Sequence, residues 1–271
     1  MNPADAQPVA ATPTFDRARF TARLRTRQLG HALVVRARAD STNDDAWDAF
    51  AQGAPDGTVV VADEQVRGRG RAGRAWHTAP GHGLAMSVLL HLGCTPETVA
   101  TLPLLAGIAL AAALERLGAQ VAVKWPNDVL VGGRKIAGIL CETRRGMGTL
   151  DAAVIGVGVN VTHAASDFPP ELDGLATSLA IEGVRATRED VAAEFLDALE
   201  PRWVVHEEGD SHVAIDEWRS RARFFGERIA VLTPAGRLEG VARRLDDDGA
   251  LVIETERGLE RVIAGDVVDG V

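Results

Sequence analysis

The sequence predicts an α+β chain, in which a large domain built on a mixed sheet precedes a small all-β barrel. Three observations carry this. Strand-like apolar runs and helical patterns alternate irregularly through about residue 220. After Phe225 the texture changes to short strand-like runs separated by Pro-Ala-Gly, Asp-Asp-Asp-Gly and Arg-Gly turns, as in a small barrel of about fifty residues. Finally, 271 residues exceed a typical single domain, and a hydrophobic content of 46% with 25% charge suits a buried core. The expected division is a flexible tail at 1–15, a large domain at 16–222 and the barrel at 223–271.

Taken in order, residues 16–30 carry a basic amphipathic pattern with Phe20, Leu24 and Leu29 near one face, and predict a helix. Residues 33–38 read as a strand, 41–43 as a cap, 44–51 as a helix and 58–62 as a second strand. A Gly/Arg-rich loop follows, then a strand at 84–90. Residues 99–114 are apolar but short and rich in small residues, so they predict a buried core helix rather than a membrane span. A strand ending at Lys124 leads into a Trp-Pro-Asn-Asp turn, followed by strands near 136–143 and 151–161. Helices are expected at 188–198 and 212–221. The barrel strands are expected at 228–232, 238–245, 250–253 and 260–263.

A net charge of −9 argues against wholesale nucleic-acid or anionic-membrane binding while leaving room for a local basic site. Cys94 and Cys141 show neither metal-ligand spacing nor a disulfide framework, and read as small buried hydrophobes. The Ala/Pro-rich N-terminus has no basic and apolar regions of a signal peptide, so a soluble, cytoplasmic protein is expected. The histidines have no ligand spacing; His77 and His82 fall in the loop and read as solvated. No metal site made by protein ligands is expected.

All but two of the 29 basic residues are arginine, and the two lysines, Lys124 and Lys135, stand in one stretch. A retained lysine suggests a task for a compact, rotatable charge. The loop Gly68-Arg69-Gly70-Arg71-Ala72-Gly73-Arg74, with Arg67 before it and Gln65 close by, concentrates guanidinium groups among glycines. It suits an anion site, and equally a solvated surface loop. Ser41-Thr42-Asn43 suits an N-cap and also a polar binding wall. Lys124-Trp125-Pro126-Asn127-Asp128 can be read as a turn or as part of a site. In Gly156-Val157-Gly158-Val159-Asn160 the alternate glycines clear one strand face, either for a flat ring or for tight packing. Four arginines in so short a loop are expected to repel one another and keep it mobile until an anion arrives.

These stretches, in this order, resemble the biotin protein ligases. That family's pattern is a Ser-Thr-Asn turn, Glu-x-Gln with Gly-Arg-Gly-Arg-x-Gly-Arg-x-Trp, Lys-Trp-Pro-Asn-Asp, Arg-Lys-x-Ala-Gly-Ile-Leu and Gly-x-Gly-x-Asn; it is matched here by residues 41–43, 64–76, 124–128, 134–140 and 156–160. The resemblance implies a catalytic domain of the class II aminoacyl-tRNA synthetase type followed by an SH3-like barrel. It also implies two half-reactions: biotin attacks the α-phosphate of Mg-ATP to give biotinyl-5′-adenylate, and a lysine of a biotin carboxyl carrier protein then takes the acyl group.

By the same resemblance Ser41, Thr42, Asn43, Gln65, Gly70 and Gly138 bind biotin, and Arg69, Arg71 and Lys135 bind it and act in catalysis. Asp128 is the candidate proton acceptor for the carrier lysine. Arg71, Trp76, Lys124 and Asn160 contact the nucleotide, and Mg²⁺ accompanies ATP. Arg67 departs from the family, which usually has a small residue there. Only about thirty residues precede the first predicted strand, so a form without a DNA-binding domain is expected; a monomer and a homodimer both remain open. A lipoate or octanoate ligase of the same fold, and a biotin-binding regulator without turnover, are the competing expectations.

Overall fold

The structure is a computed structural model that describes residues 14–93, 99–145, 150–210 and 212–268. Residues 1–13 of the expected tail and Cys94 lie outside the described residues. Seven strands form the large sheet, in the order β1 (Leu33–Arg36), β2 (Val59–Ala62), β3 (Gly83–His91), β7 (Leu150–Asn160), β6 (Arg134–Arg145), β5 (Asp128–Val131) and β4 (Val121–Lys124). β1 and β2 are parallel, whereas every other neighbouring pair is antiparallel, so the sheet is mixed as expected. β5 is a short strand that the sequence reading left inside a turn. It forms because the Trp-Pro-Asn-Asp turn folds the chain back on β4.

Helices cover both faces of the sheet. In β2, Val59 and Val61 join the larger core and Val60 joins a smaller one beneath helix α2 (Thr42–Ala51), which is the period-2 alternation of a strand buried on both sides. The larger core contains helix α3 (Leu102–Arg116), whose residues 104–114 are all buried, as its apolar composition requires. Helices α4 (Arg188–Glu207) and α5 (His212–Arg221) pack against it.

Two helix ends differ from expectation. Helix α1 (Arg17–Arg23) stops well short of residue 30 because the backbone amides of Arg25, Arg27, Gln28 and Leu29 donate to Asp197 and Glu200 on α4. Those carboxylates offer the chain an alternative to intrahelical bonds. Conversely, α4 runs through Pro201 to Glu207, since Trp203 and His206 continue its buried face beyond the proline.

A five-stranded antiparallel sheet closes the chain, in the order β11 (Gly258–Val262), β10 (Leu251–Thr255), β9 (Gly236–Leu245), β8 (Arg228–Thr233) and β12 (Asp266–Val268). β12 is too short to be read from sequence. Its pairing with β8 creates it. The C-terminal sheet is tied to the large domain: the indole of Trp125 donates to the carbonyl of Gly249 in the turn before β10 at 3.1 Å, and Arg219 on α5 donates to the carbonyl of Leu245 at the end of β9. Among the described residues no helix is long and apolar enough to cross a membrane.

Phe15, placed by the sequence reading at the end of the tail, is core. Its ring lies 5.6 Å from that of Phe20 and its amide donates to Asp63 at 2.9 Å. Asp63 also receives Arg188 at 2.8 Å, with both side chains almost fully buried, and its carbonyl accepts from Gly81. One residue thus ties the N-terminal segment, the start of α4 and both ends of the Gly/Arg loop. Arg188→Met would leave Asp63 buried without its cation, and we expect a loss of about 3–5 kcal/mol of stability. Denaturant unfolding checks this, and replacing Asp63 as well should recover part of the loss.

Candidate active site

On β7, Ala152 and Val154 pack beneath α2, but the next two residues on that face are Gly156 and Gly158, while Ile155, Val157 and Val159 stay in the larger core. The sheet surface therefore opens into a cavity of about 450 Å³. Ser41, Thr42, Asn43, Gln65, Arg69, Gly70, Arg71, Trp76, Lys124, Asp128, Lys135, Gly138 and Asn160 all line it. Residues drawn from five separate stretches of chain meet in one place.

The glycines are required sterically. A Cβ on Gly156 would sit 2.3 Å from Oδ1 of Asn43, and one on Gly158 would sit 2.4 Å from the Trp76 indole. The cleared face does accept a flat ring, as the sequence suggested, but in this structure the ring is the protein's own Trp76. The same indole lies over Gly138 and 5.6 Å from the Lys135 ammonium.

One end of the cavity is a tight polar cluster. Ser87 donates to Oδ1 of Asn43 at 2.6 Å, its hydroxyl oxygen lies 2.7 Å from the Thr42 hydroxyl, and the backbone amide of Thr42 donates to Gln65 at 2.8 Å. Ser41 is buried at the start of α2, yet its hydroxyl makes no capping bond. That favours the wall over the cap. Glu142, which the sequence reading missed, accepts from Asn43, Trp47 and Arg69 at 3.0, 3.1 and 3.2 Å. It lies in phase with Gly138 and Leu140 on β6, and an acid at such a position in a core strand was the available signal.

Lys135 reaches this face through a bulge. The register of β5 against β6 shifts between Val129 and Leu130, so Lys135 and Gly138, three residues apart, both line the cavity. Lys135 Nζ lies 2.7 Å from Asp128, and both are half-buried or deeper. Asn127 is buried and donates to the carbonyl of Ile139, with Arg71 at 3.5 Å from its oxygen. Asn160 donates its amide to the carbonyl of Thr177. Lys124 lies on the far rim.

The loop arginines are not left to repel one another. Arg67 pairs with Asp40, Arg69 with Asp44 and Glu142, and Arg74 with Asp266 at 2.9 Å; Arg71 lies 3.6 Å from Asp266. Asp266 comes from β12, and the neighbouring Val267 and Val268 line the cavity. The expectation of unbalanced charge counted the arginines without the acids that the fold brings to them.

Cys141 is partly buried against the core, and loss of water pushes its thiol up, out of the reactive range. His77 is exposed as expected. His163, not singled out from sequence, is buried and stacked on Phe168, a cavity residue, with ring centroids 5.2 Å apart. Burial pushes its pKa down to about 4, helped by nearby His82 and His77 and opposed by Asp167. The fold therefore holds a neutral imidazole, whereas the unfolded chain takes up a proton near pH 6.5. Stability from this group is present above that pH and is lost as pH falls from about 6.5 towards 4, by no more than about 3 kcal/mol. Unfolding curves of His163→Gln should be flatter over this window than those of the parent.

Comparison with known proteins agrees with this geometry. Residues 35–160 match the Biotin/lipoate A/B protein ligase family, and residues 224–268 match the Biotin protein ligase C terminal domain. The biotin–[acetyl-CoA-carboxylase] ligase of Mycobacterium tuberculosis is 38% identical over 87% of this chain and 88% of its own. That of Paracoccus denitrificans is 34% identical over 86% and 99%. The biotin protein ligase from Aquifex aeolicus, solved in complex with biotin and ATP, superposes with a TM-score of 0.75 at 27% identity, covering 88% of this chain and 98% of the other. With relatives this similar along nearly their whole length, the chain belongs to the biotin protein ligase family.

Proposed function

We propose that this chain activates biotin with ATP to biotinyl-5′-adenylate and transfers the biotinyl group to a lysine of a biotin carboxyl carrier domain. The observation that carries this is the cavity itself, which places a polar cluster at one end, a lysine beside a carboxylate in the middle and an arginine loop above. Ser41, Thr42, Asn43 and Gln65 would hold the ureido ring, because they offer donors and acceptors in fixed positions. Gly70 and Gly138 would let backbone groups approach it. Trp76 would move off the glycine face to receive the ligand and then pack on the nucleotide, with Asn160 and Lys124 at the rim.

Bringing a carboxylate onto an α-phosphate is chiefly a matter of positioning and charge. Arg69, Arg71 and Lys135 would supply that charge. Once the phosphate competes for the Lys135 ammonium, Asp128 is released from its ion pair and can accept a proton from the carrier lysine. Mg²⁺ bound to the ATP phosphates would neutralise charge on them. In this proposal the catalytic unit is residues 16–222, with 223–271 closing one side of the cavity.

Pyrophosphate release with biotin, ATP and Mg²⁺, set against lipoate in place of biotin, tests the activity; release should depend on biotin. Lys135→Arg should fold normally and lose about 10²-fold or more in single-turnover adenylate formation, because a guanidinium places its donors differently at a preorganised contact. Retention of a near-normal rate would remove Lys135 from the mechanism.

A further inference from the structure

We propose that Glu142 is a positioning residue, whose carboxylate sets the direction of the hydrogen bonds in the polar wall of the cavity and ties that wall to the arginine loop. The proposal rests on the biotin-activating function given above and concerns how the same site recognises the ureido ring. Glu142 stands outside the cavity, where the lining contributed by β6 ends at Leu140, so it acts through the side chains it holds.

Three donors converge on it. Nδ2 of Asn43 and Nε1 of Trp47, both on α2, reach Oε2 at 3.0 and 3.1 Å, and a guanidinium nitrogen of Arg69 lies 3.2 Å from Oε1. A carboxylate only accepts, which leaves the Asn43 amide one orientation. Its NH₂ faces Glu142 and, at 3.3 Å, the carbonyl of Leu140, while Oδ1 turns towards Ser87. Room for that oxygen comes from Gly156, which pairs with Ser87 on β3 and with Leu140 on β6.

Hydroxyl protons then fix the rest of the wall. Ser87 and Thr42 have one each. Oδ1 of Asn43 has none, so at 2.6 Å it takes the proton of Ser87. The 2.7 Å contact between the two hydroxyls therefore needs the proton of Thr42. That leaves the longer contact from Thr42 to Gln65, at 3.1 Å, without a proton, and Oε1 of Gln65 is held by the backbone amide of Thr42 at 2.8 Å. Both lone pairs of the Thr42 hydroxyl stay open to a donor at the cavity wall, and each N–H of a ureido ring is a donor. Without the carboxylate, the Asn43 amide could turn over and offer NH₂ to Ser87. Ser87 would then donate to Thr42 and occupy one of those lone pairs. Through Oε1 the same carboxylate also holds Arg69, whose other nitrogen pairs with Asp44 at 2.6 Å, so the wall and the loop share one group.

Glu142→Gln and Glu142→Leu separate the two links. A glutamine oxygen in the place of Oε2 still accepts from Asn43 and Trp47, whereas its NH₂ faces Arg69 and breaks the link to the loop. Leucine, similar in size, accepts nothing. Biotin is titrated calorimetrically into the full chain without ATP, and backbone hydrogen exchange is followed over residues 68–76. We expect E142Q to keep biotin affinity within about twofold of the parent while loop exchange speeds up at least about fivefold, and E142L to lose at least about tenfold in biotin affinity as well. E142Q and E142L behaving alike in both measurements would overturn the proposal, because packing alone would then account for Glu142. Parent-like biotin affinity in E142L would also overturn it. Should circular dichroism show E142L unfolded, E142Q decides alone: parent-like loop exchange, or a loss of about tenfold in biotin affinity, rejects the proposal. Neither measurement needs turnover, so a parent chain that binds biotin yet releases no pyrophosphate with ATP counts against the proposed function only.

Discussion

The site depends on one constraint in the central strand. β7 is paired along its length with β3 on one side and β6 on the other, so its residues have no freedom to rotate out of register. On one face it supplies Ile155, Val157 and Val159 to the core. On the other it supplies glycines where the cavity must open. A single methyl at Gly156 would displace Asn43, and with it the links to Ser87 and Glu142 that fix the start of α2. The core and the site are thus two faces of the same strand, and a slip of one residue would exchange them.

Around that floor the acids matter as much as the bases. Asp40, Asp44, Glu142 and Asp266 hold the arginine loop, and Asp128 holds Lys135. Most of these pairs are partly exposed and add little to stability. Their consequence is functional: an anionic substrate entering the cavity replaces existing partners instead of neutralising bare charge, which favours a ligand that presents several anionic groups in the right places. The buried Asp63–Arg188 pair differs in kind, because it fixes the base of that loop to α4 and to the N-terminal segment.

The C-terminal sheet belongs to the same arrangement. Trp125 reaches the turn at Gly249, and Asp266 to Val268 form one wall of the cavity, so the small sheet contributes to the site directly. The stretch from Lys124 to Asp128, read from sequence as a turn or a site, is both. It turns the chain between β4 and β5, seats an indole between the two sheets and presents Asn127 and Asp128 to the cavity.

What the sequence by itself determined was the local chemistry: glycines at alternate positions of one strand, arginines among glycines, hydroxyl and amide side chains at a helix start, and lysine kept at two positions only. Those patterns repeat within a few residues, so they are legible without a fold, and apart from Arg67, Gly68 and Gly73 in the loop the residues they picked out line the cavity. The tertiary structure decided the rest. It chose which distant acid meets which arginine, that a bulge turns Lys135 inward, that Trp76 rests on the glycine face, and that α1 ends where carboxylates from α4 capture its backbone. Short strands such as β5 and β12 exist only through their partners. These features arise from contacts between segments far apart in the chain, where local propensity is weak and the energy is set by what the other segment offers.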